Sequence, residues 1–364
     1  MRLNSLSTAG PPLQGSKPSL SEPSALLYNG SPDQPVTDDP ARSSGYQPST
    51  APLVAILGPT GSGKSDLALT VAEACGGEVV NCDSLQVYRY FDIGTAKLSL
   101  PERRGVPHHL IDILTPDCVF TAGEFARRAR PTIAAITARG KLPILAGGTG
   151  FYARALLDGL FEGPSRDETL RARLSARQAR RPGSLHRILS RFDSTAAARI
   201  HPNDVPKVTR ALEVCLLTRR PVTELFRQGR DALQGYHVLK VGLLPARDIL
   251  YERLDRRCQA MFDRGLGDEV AGILALGYSP SAKAFESHGY KQALQTIRGE
   301  LDLKQAIYYA QRNTRNYAKR QLTWFRREPG LEWFSGFGAD AELQQAVIRR
   351  IRAGFTVNAP QTAG

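Results

Sequence analysis

Apolar residues along this chain fall into two kinds of pattern. Short apolar-rich runs occur at residues 53–57, 78–82, 142–146 and 238–244, broken only by Glu78, Asn81 and Lys240 and each closed by a Gly, Pro or polar residue. Runs of that length, with no polar alternation, read as strands buried on both faces. Between them the spacing shifts to the helical period, first at residues 66–75. Strands separated by helical stretches predict βαβ units, hence a mostly parallel sheet with helices on both sides. From residue 163 to 235 the strand signal stops: 171–178, 184–192 and 206–218 carry helical patterns, with Pro182 and Pro202 as breakers. This stretch reads as a helical insertion in an α/β core formed by 51–162 plus 236–335. Residues 249–325 are helical again and predicted to pack back on the core. A last helical pattern at 341–351 lies within a segment, 336–364, read as a C-terminal tail without chemistry.

Residues 1–50 differ from everything after them. Of these, 22 are Ser, Pro or Gly and no apolar period is present. Such a segment buries too little surface to offset its ordering entropy, so a disordered tail is expected. No apolar run approaches the roughly 18 residues that a membrane-crossing helix needs. The five cysteines form no C-x-x-C pair, a usage that suits a reducing cytoplasm. The net charge of +13 favours polyanionic partners. Placement sharpens that: residues 166–191 hold eight arginines against two acids, and 312–327 hold Arg312, Arg315, Lys319, Arg320, Arg326 and Arg327 with no acid. On a helix, Arg312, Arg315, Lys319 and Arg326 share one face.

The first strand runs into Gly58-Pro59-Thr60-Gly61-Ser62-Gly63-Lys64-Ser65, a full G-x-x-x-x-G-K-[ST] sequence between a strand and a helix. That context makes it a P-loop. Its glycines let backbone N–H groups turn onto phosphate oxygens, and the helix N-terminus adds partial positive charge. Lys64 supplies a point charge, and the Ser65 hydroxyl is placed to ligate Mg²⁺. The fold class follows: α/β, a P-loop NTPase-like parallel sheet flanked by helices, with a helical insertion domain. The second strand ends at Asp83, in the crevice where such sheets bind ligands. As an isolated residue Asp83 is a helix N-cap, a metal orienter or a general base.

Further polar or glycine-rich stretches follow in order: Asp92 to Lys97, His108 to Asp112, Gly147 to Tyr152, His201 to Val214, Gly289 to Gln292 and Tyr317 to Arg326. Together with the P-loop, this series over residues 52–328 closely resembles the bacterial tRNA dimethylallyltransferases. The resemblance implies transfer of a dimethylallyl group from dimethylallyl diphosphate to N6 of adenosine 37, in tRNAs reading codons that start with U, with Mg²⁺ as cofactor and diphosphate released. It implies that Asp83 takes the N6 proton, that Ser84, Leu85 and Gln86 meet the target adenosine, and that Thr149 lies between the reacting partners. Arg257 would reach the diphosphate together with Lys64 and the loop. Arg171, then Pro206, Lys207, Val208, Thr209 and Arg210, and then Phe285, Gly289, Tyr290, Lys291 and Gln292, would contact the anticodon stem-loop, the enzyme acting as a monomer. Two departures stand out: where the family writes D-P-Q-R-x-x-R, this chain has Asp204, Val205, Pro206, Lys207 and Arg210, and His288 replaces an apolar residue before Gly289.

Apart from the resemblance, the residues leave rivals open. A small-molecule kinase would share the loop and the strand-end Asp but would consume ATP. An isopentenyltransferase of free adenine nucleotides would not need the basic tract at 312–327. A non-catalytic RNA-binding module would not keep Lys64, Ser65 and Asp83 together. His108 and His109, adjacent on a strand, point opposite ways and do not read as a metal pair, and Cys82 reads as a small buried residue.

Overall fold

The strand runs are mostly apolar because both faces of the sheet are covered. In the computed structural model, which describes residues 50–227 and 229–355, Leu53 to Leu57 are all 0% exposed. They lie in β1 (Ala51–Leu57), and their side chains alternate between two cores. Leu53, Ala55 and Leu57 join one apolar cluster, while Val54 and Ile56 join the other. That is the period-2 alternation of a strand between two helical layers.

The chain continues through α1 (Lys64–Cys75), β2 (Gly77–Asn81), the two-residue β3 (His108–His109), α2 (Ala122–Ala138), β4 (Leu142–Gly147) and α3 (Gly150–Leu157). The helical insertion holds α4 (Glu168–Arg180), α5 (Ser184–Phe192), α6 (Ser194–Arg199), α7 (Val205–Thr218) and α8 (Val222–Arg227). Then come β5 (Tyr236–Leu244), α9 (Arg247–Asp263), α10 (Leu266–Ala275), α11 (Tyr290–Ile297), α12 (Leu303–Phe325), β6 (Leu331–Ser335) and α13 (Ala341–Gly354). The six strands form one sheet in the order β3-β2-β4-β1-β5-β6, every pairing parallel.

Residues 161–229 form a compact unit with its own core, where Leu185, Leu189, Val208, Leu212, Val214 and Val222 meet. The insertion is expected at 163–235, whereas the compact unit spans residues 161–229. The expected disorder of residues 1–50 falls on positions 1–49, outside the described residues. The stretch from 336 is not a tail over its described part. α13 packs Leu343, Val347, Ile348 and Ile351 into the same cluster as Leu67 and Val71 of α1. Among the described residues no helix is long and apolar enough to cross a membrane.

One strand escaped the sequence reading. β6 (Leu331–Ser335) carries Glu332 and Trp333 on an edge, where only partial burial is needed, so it lacks the apolar run of its neighbours. β3 is two residues long and pairs with Val79 and Val80.

Candidate active site

The strand order decides which loops meet. β2, β4 and β1 are neighbours, so Asp83, the Gly147-Gly148-Thr149 turn and the P-loop emerge side by side at the carboxyl ends of three adjacent strands. Registers Leu57↔Gly147 and Asn81↔Ala146 align those ends. Gly147 is glycine by necessity, since a Cβ there would lie 2.1 Å from the Cys82 carbonyl oxygen.

In the P-loop, Gly58, Gly61 and Gly63 have φ of 152°, 78° and 84°, and Gly63 caps α1 in the left-handed region. A side chain at Gly63 would also meet the backbone of Gly338 at 2.7 Å, and the Gly338 N–H donates to the Ser62 carbonyl at 2.8 Å. The loop before α13 thus braces the cradle from behind. Lys64 Nζ donates to the Pro59 carbonyl at 2.7 Å. Burial of the ammonium lowers its pKa to about 8; Asp83 opposes that shift and Arg257 adds to it. Arg257, from α9, is pulled down from its usual range by burial, with Asp83 again acting against the shift. Lys64 and Arg257 are two desolvated cations whose charges oppose one another, with a single carboxylate between them in sign. An anion placed there gains from both, since a buried cation is stabilised chiefly by a partner of opposite charge.

Asp83 sits on a turn of its own making. Its Oδ1 accepts from the N–H of Leu85 at 2.9 Å and of Gln86 at 3.4 Å, while its own N–H donates to Asn81 Oδ1 at 3.1 Å. Residues 84–87 form a turn and not a helix, so Asp83 caps no helix, and the same carboxylate acts electrostatically on Lys64, Arg257 and Cys82. Thr149 is buried, and its Oγ1 accepts from the Ser84 N–H at 3.1 Å. Gln86 Nε2 and Arg257 Nη2 both point at the Thr95 carbonyl, at 3.3 and 3.5 Å. Cys82 is 0% exposed and burial raises its thiol pKa, which removes it as a nucleophile.

Several side chains at the site were given no individual role from the sequence. Glu269 of α10 accepts from Ile93 N at 2.8 Å and from Asp92 N, and it accepts from the Tyr290 hydroxyl as well. It thereby fixes the loop that carries Thr95. Asn81 Nδ2 donates to Leu110 O at 3.0 Å and stabilises the backbone at Asp83. Gln321 of α12 accepts from Thr60 N and donates to Gly148 O, both at 2.8 Å. It lies on the buried stripe of α12 with Ala310, Ala318 and Phe325, inside the Tyr317 to Arg326 stretch, which marked the segment but not the role of this residue.

Some expected contact residues are placed behind their surface rather than on it. Val208 is 1% exposed inside the insertion core, and Phe285, Tyr290 and Gln292 are at most 3% exposed. Each belongs to the apolar face of its own element, while Lys291 of α11 is exposed. Arg171 and Arg210 grip the Glu213 carboxylate, Arg171 through Nε and Nη2 at 2.8 Å each and Arg210 through Nη1 at 2.6 Å. Burial would raise the Glu213 pKa, but these hydrogen bonds hold it at about 2. Lys207 pairs with Asp204, whereas Thr209 and Pro206 at the start of α7 remain partly exposed. On α12, Arg315 pairs with Asp255 instead of lying free on the basic face. Lys319 and Arg326 line a groove of about 730 Å³ with Arg247, Tyr251 and Phe337. His109 binds Glu78 at 2.7 Å and His108 binds the Val106 carbonyl at 2.8 Å, both structural bonds.

His288 packs its ring edge-on against Tyr317 with centroids 5.4 Å apart. Burial, then the charges of Arg320 and Lys291, lowers its pKa to about 4, so it serves as the apolar residue its position calls for. The folded chain resists its protonation more than the unfolded chain does. Stability from this group is thus present above the ordinary histidine pKa of about 6.5 and is lost as pH falls from there towards 4. His288→Leu should flatten the acid limb of a urea-denaturation stability profile by on the order of 2–3 kcal/mol between pH 6.5 and 4. An unchanged acid limb would show that another group sets it.

Residues 86–328 match the family model described as IPP transferase. The chain belongs to that family. Among IPP transferase relatives, it is 71% identical over 300 residues to the tRNA dimethylallyltransferase of Solibacter usitatus (strain Ellin6076), covering 82% of this chain and 98% of the relative. It is 56% identical over 301 residues to the tRNA dimethylallyltransferase of Koribacter versatilis (strain Ellin345), covering 82% and 98%. Among solved structures, the full-length tRNA isopentenylpyrophosphate transferase of Bacillus halodurans superposes with a TM-score of 0.62 at 40% identity, covering 83% of this chain and 96% of that one. A eukaryotic dimethylallyltransferase acting on tRNA gives a TM-score of 0.73 at 26% identity, covering 86% and 82%.

Proposed function

We infer that this chain transfers the dimethylallyl group of dimethylallyl diphosphate to the N6 amine of adenosine 37 in tRNAs reading codons that start with U, releasing diphosphate. The observation that carries the reading is the grouping of one carboxylate, Asp83, with two desolvated cations, Lys64 and Arg257, over the P-loop. An exocyclic adenine amine is a weak nucleophile, and an allylic diphosphate compensates by having a leaving group that departs easily. As the N6–C1 bond forms and the C1–O bond breaks, negative charge collects on the diphosphate. The loop N–H groups, Lys64 and Arg257 meet that charge as preorganised donors. The N6 proton passes to the Asp83 carboxylate, held in place by the Leu85 and Gln86 N–H groups. Thr149 fixes the Ser84 backbone against the turn and so keeps Asp83 in register with the cradle.

The donor set also fits Mg²⁺. This ion takes oxygen ligands and is held by few protein groups plus substrate phosphates, and the exposed Ser65 hydroxyl at the start of α1 offers one such ligand. When bound, Mg²⁺ would supply further charge neutralisation on the leaving diphosphate.

The target adenosine has to leave its stack to reach this cleft. Single-stranded loops are read by stacking and edge contacts, with cations on the backbone. Ser84, Leu85, Gln86 and Thr149 would face the flipped base. Lys291, Arg171, Arg210 and the start of α7 would lie along the stem-loop, with Phe285, Gly289, Tyr290, Gln292 and Val208 shaping those surfaces from within. The enzyme would act as a cytoplasmic monomer.

The test uses isotopically labelled dimethylallyl diphosphate and Mg²⁺ with unmodified tRNA of the U-codon class or with AMP, plus an ATP-consumption assay. Label is expected in tRNA alone, at one adenosine. Label in AMP only, or ATP turnover without label transfer, would discard the reading.

A further inference from the structure

We propose that Gln321 is a positioning residue for the transfer, an amide strut that sets the distance between the phosphate cradle and the carboxylate base. The role rests on the reading above, in which those two parts share one reaction.

Gln321 belongs to α12, far in sequence from both loops it touches, and its side chain is 7% exposed. A primary amide on a buried helix stripe is costly unless its polar atoms find partners. Here both do. Oε1 accepts from the Thr60 N–H inside the cradle, and Nε2 donates to the Gly148 carbonyl, each at 2.8 Å. The partners also fix which end of the amide faces which loop, since only Nε2 can donate to a carbonyl. Gly148 is shaped for this contact, because a Cβ there would lie 2.4 Å from Nε2.

The turn at Gly148 is the middle of the three loops, on the strand between those of Asp83 and the P-loop. On its other side, Thr149 Oγ1 holds the Ser84 N–H at 3.1 Å and Thr149 N–H donates to Cys82 O at 3.2 Å. One hydrogen-bonded chain therefore runs from the cradle at Thr60, through Gln321, to the turn and on to the backbone beside Asp83. Three residues later, Trp324 stacks under Arg154 at 4.4 Å and packs against Gly150, which pins α12 to the same turn. Without the amide, the cradle and the turn lose this side-chain bridge and are joined through the sheet beneath them. A shift of about 1 Å between a leaving group and its base is enough to slow a positioned reaction by ~100-fold.

Two variants test this. Gln321→Leu keeps the size and removes both bonds. It should lower kcat for label transfer by about 10- to 100-fold, and weaken inorganic diphosphate binding, read by calorimetry, by about 10-fold, with tRNA affinity within about 2-fold of wild type. Gln321→Glu is the sharper probe. A neutral carboxyl group can accept from Thr60 N–H and donate to Gly148 O as the amide does, whereas a carboxylate repels both Gly148 O and the diphosphate. Burial raises a carboxyl pKa, so the transfer rate of this variant, divided by that of wild type at each pH, should rise at least about 5-fold from pH 8.5 to 6.5. A deficit that is constant with pH, unchanged diphosphate affinity in Gln321→Leu, or activity lost only in proportion to the folded fraction in thermal melts would each overturn the role. Diphosphate binding is measured without tRNA, so failure of wild-type label transfer would count against the function and leave this result readable.

Discussion

Asp83→Asn should reduce single-turnover transfer by roughly 10²- to 10⁴-fold, the usual contribution of a positioned general base, while tRNA affinity in a filter-binding assay stays within about 3-fold. Asn is the informative substitution because its carbonyl oxygen can still accept from Leu85 N and Gln86 N, the two bonds that shape the turn. What it lacks is a site for the N6 proton. Asp83→Ala removes base and turn together and so should lose at least as much rate, with some loss of RNA affinity as the 83–86 segment loosens. A second signature follows from the electrostatics. Asp83 is the largest influence holding the Lys64 pKa up against burial. Removing the charge lets that pKa fall further, so KM for the allylic diphosphate should begin to rise at a lower pH in Asp83→Asn than in wild type. A variant that transfers within 10-fold of wild type would end the assignment of Asp83 as base.

Why Asp83 was legible in the sequence, and Gln321 was not, has a physical answer. The strand runs at 53–57, 78–82, 142–146 and 238–244 are mostly apolar, with Glu78, Asn81 and Lys240 as exceptions, because both faces are covered. Such burial leaves a plain mark, and it also places the residue after each run at the functional edge. The P-loop adds a second mark, since only its spacing of glycines permits φ of 78° and 84° at Gly61 and Gly63. Sheet order leaves no such trace. Nothing local to β4 says that it lies between β2 and β1, and that adjacency makes Thr149 and Gly148 the centre of the site. Glu269, Asn81 and Gln321 act on loops distant in sequence through single hydrogen bonds. The edge strand β6 escaped because a half-covered strand can carry Glu332, which pairs with Arg350 on α13. Basic tracts showed the converse limit. Charge counts revealed Arg171 and Arg315 but not the acids that hold them, Glu213 and Asp255, which come from separate stretches of chain.

Lys64→Met should leave the ligand-free protein more stable and nearly inactive. Burial lowers the Lys64 pKa from 10.5 to about 8, so at pH 7 the folded chain carries a charged ammonium that prefers water. A shift of that size corresponds to roughly 3 kcal/mol of stability forgone below pH 8. Against it stands the bond from Nζ to Pro59 O at 2.7 Å, worth about 1 kcal/mol net. Methionine matches the length of the stem and carries no charge, so a net gain of about 1–2 kcal/mol is expected at pH 7 in denaturant unfolding. The sign of the pH dependence is a further check. Between about 8 and 10.5 the unfolded chain holds a proton that the folded chain has released, so wild-type stability rises with pH across that window and converges on the variant. Activity moves the other way. Removal of one preorganised charge from a developing anion costs about 10²- to 10³-fold in rate, and the affinity for inorganic diphosphate should fall with it. A Met variant that is less stable than wild type at pH 7, with the same slope from pH 8 to 10.5, would mean that the ammonium is solvated in the free enzyme. The cradle would then hold no unmet charge for a diphosphate to satisfy.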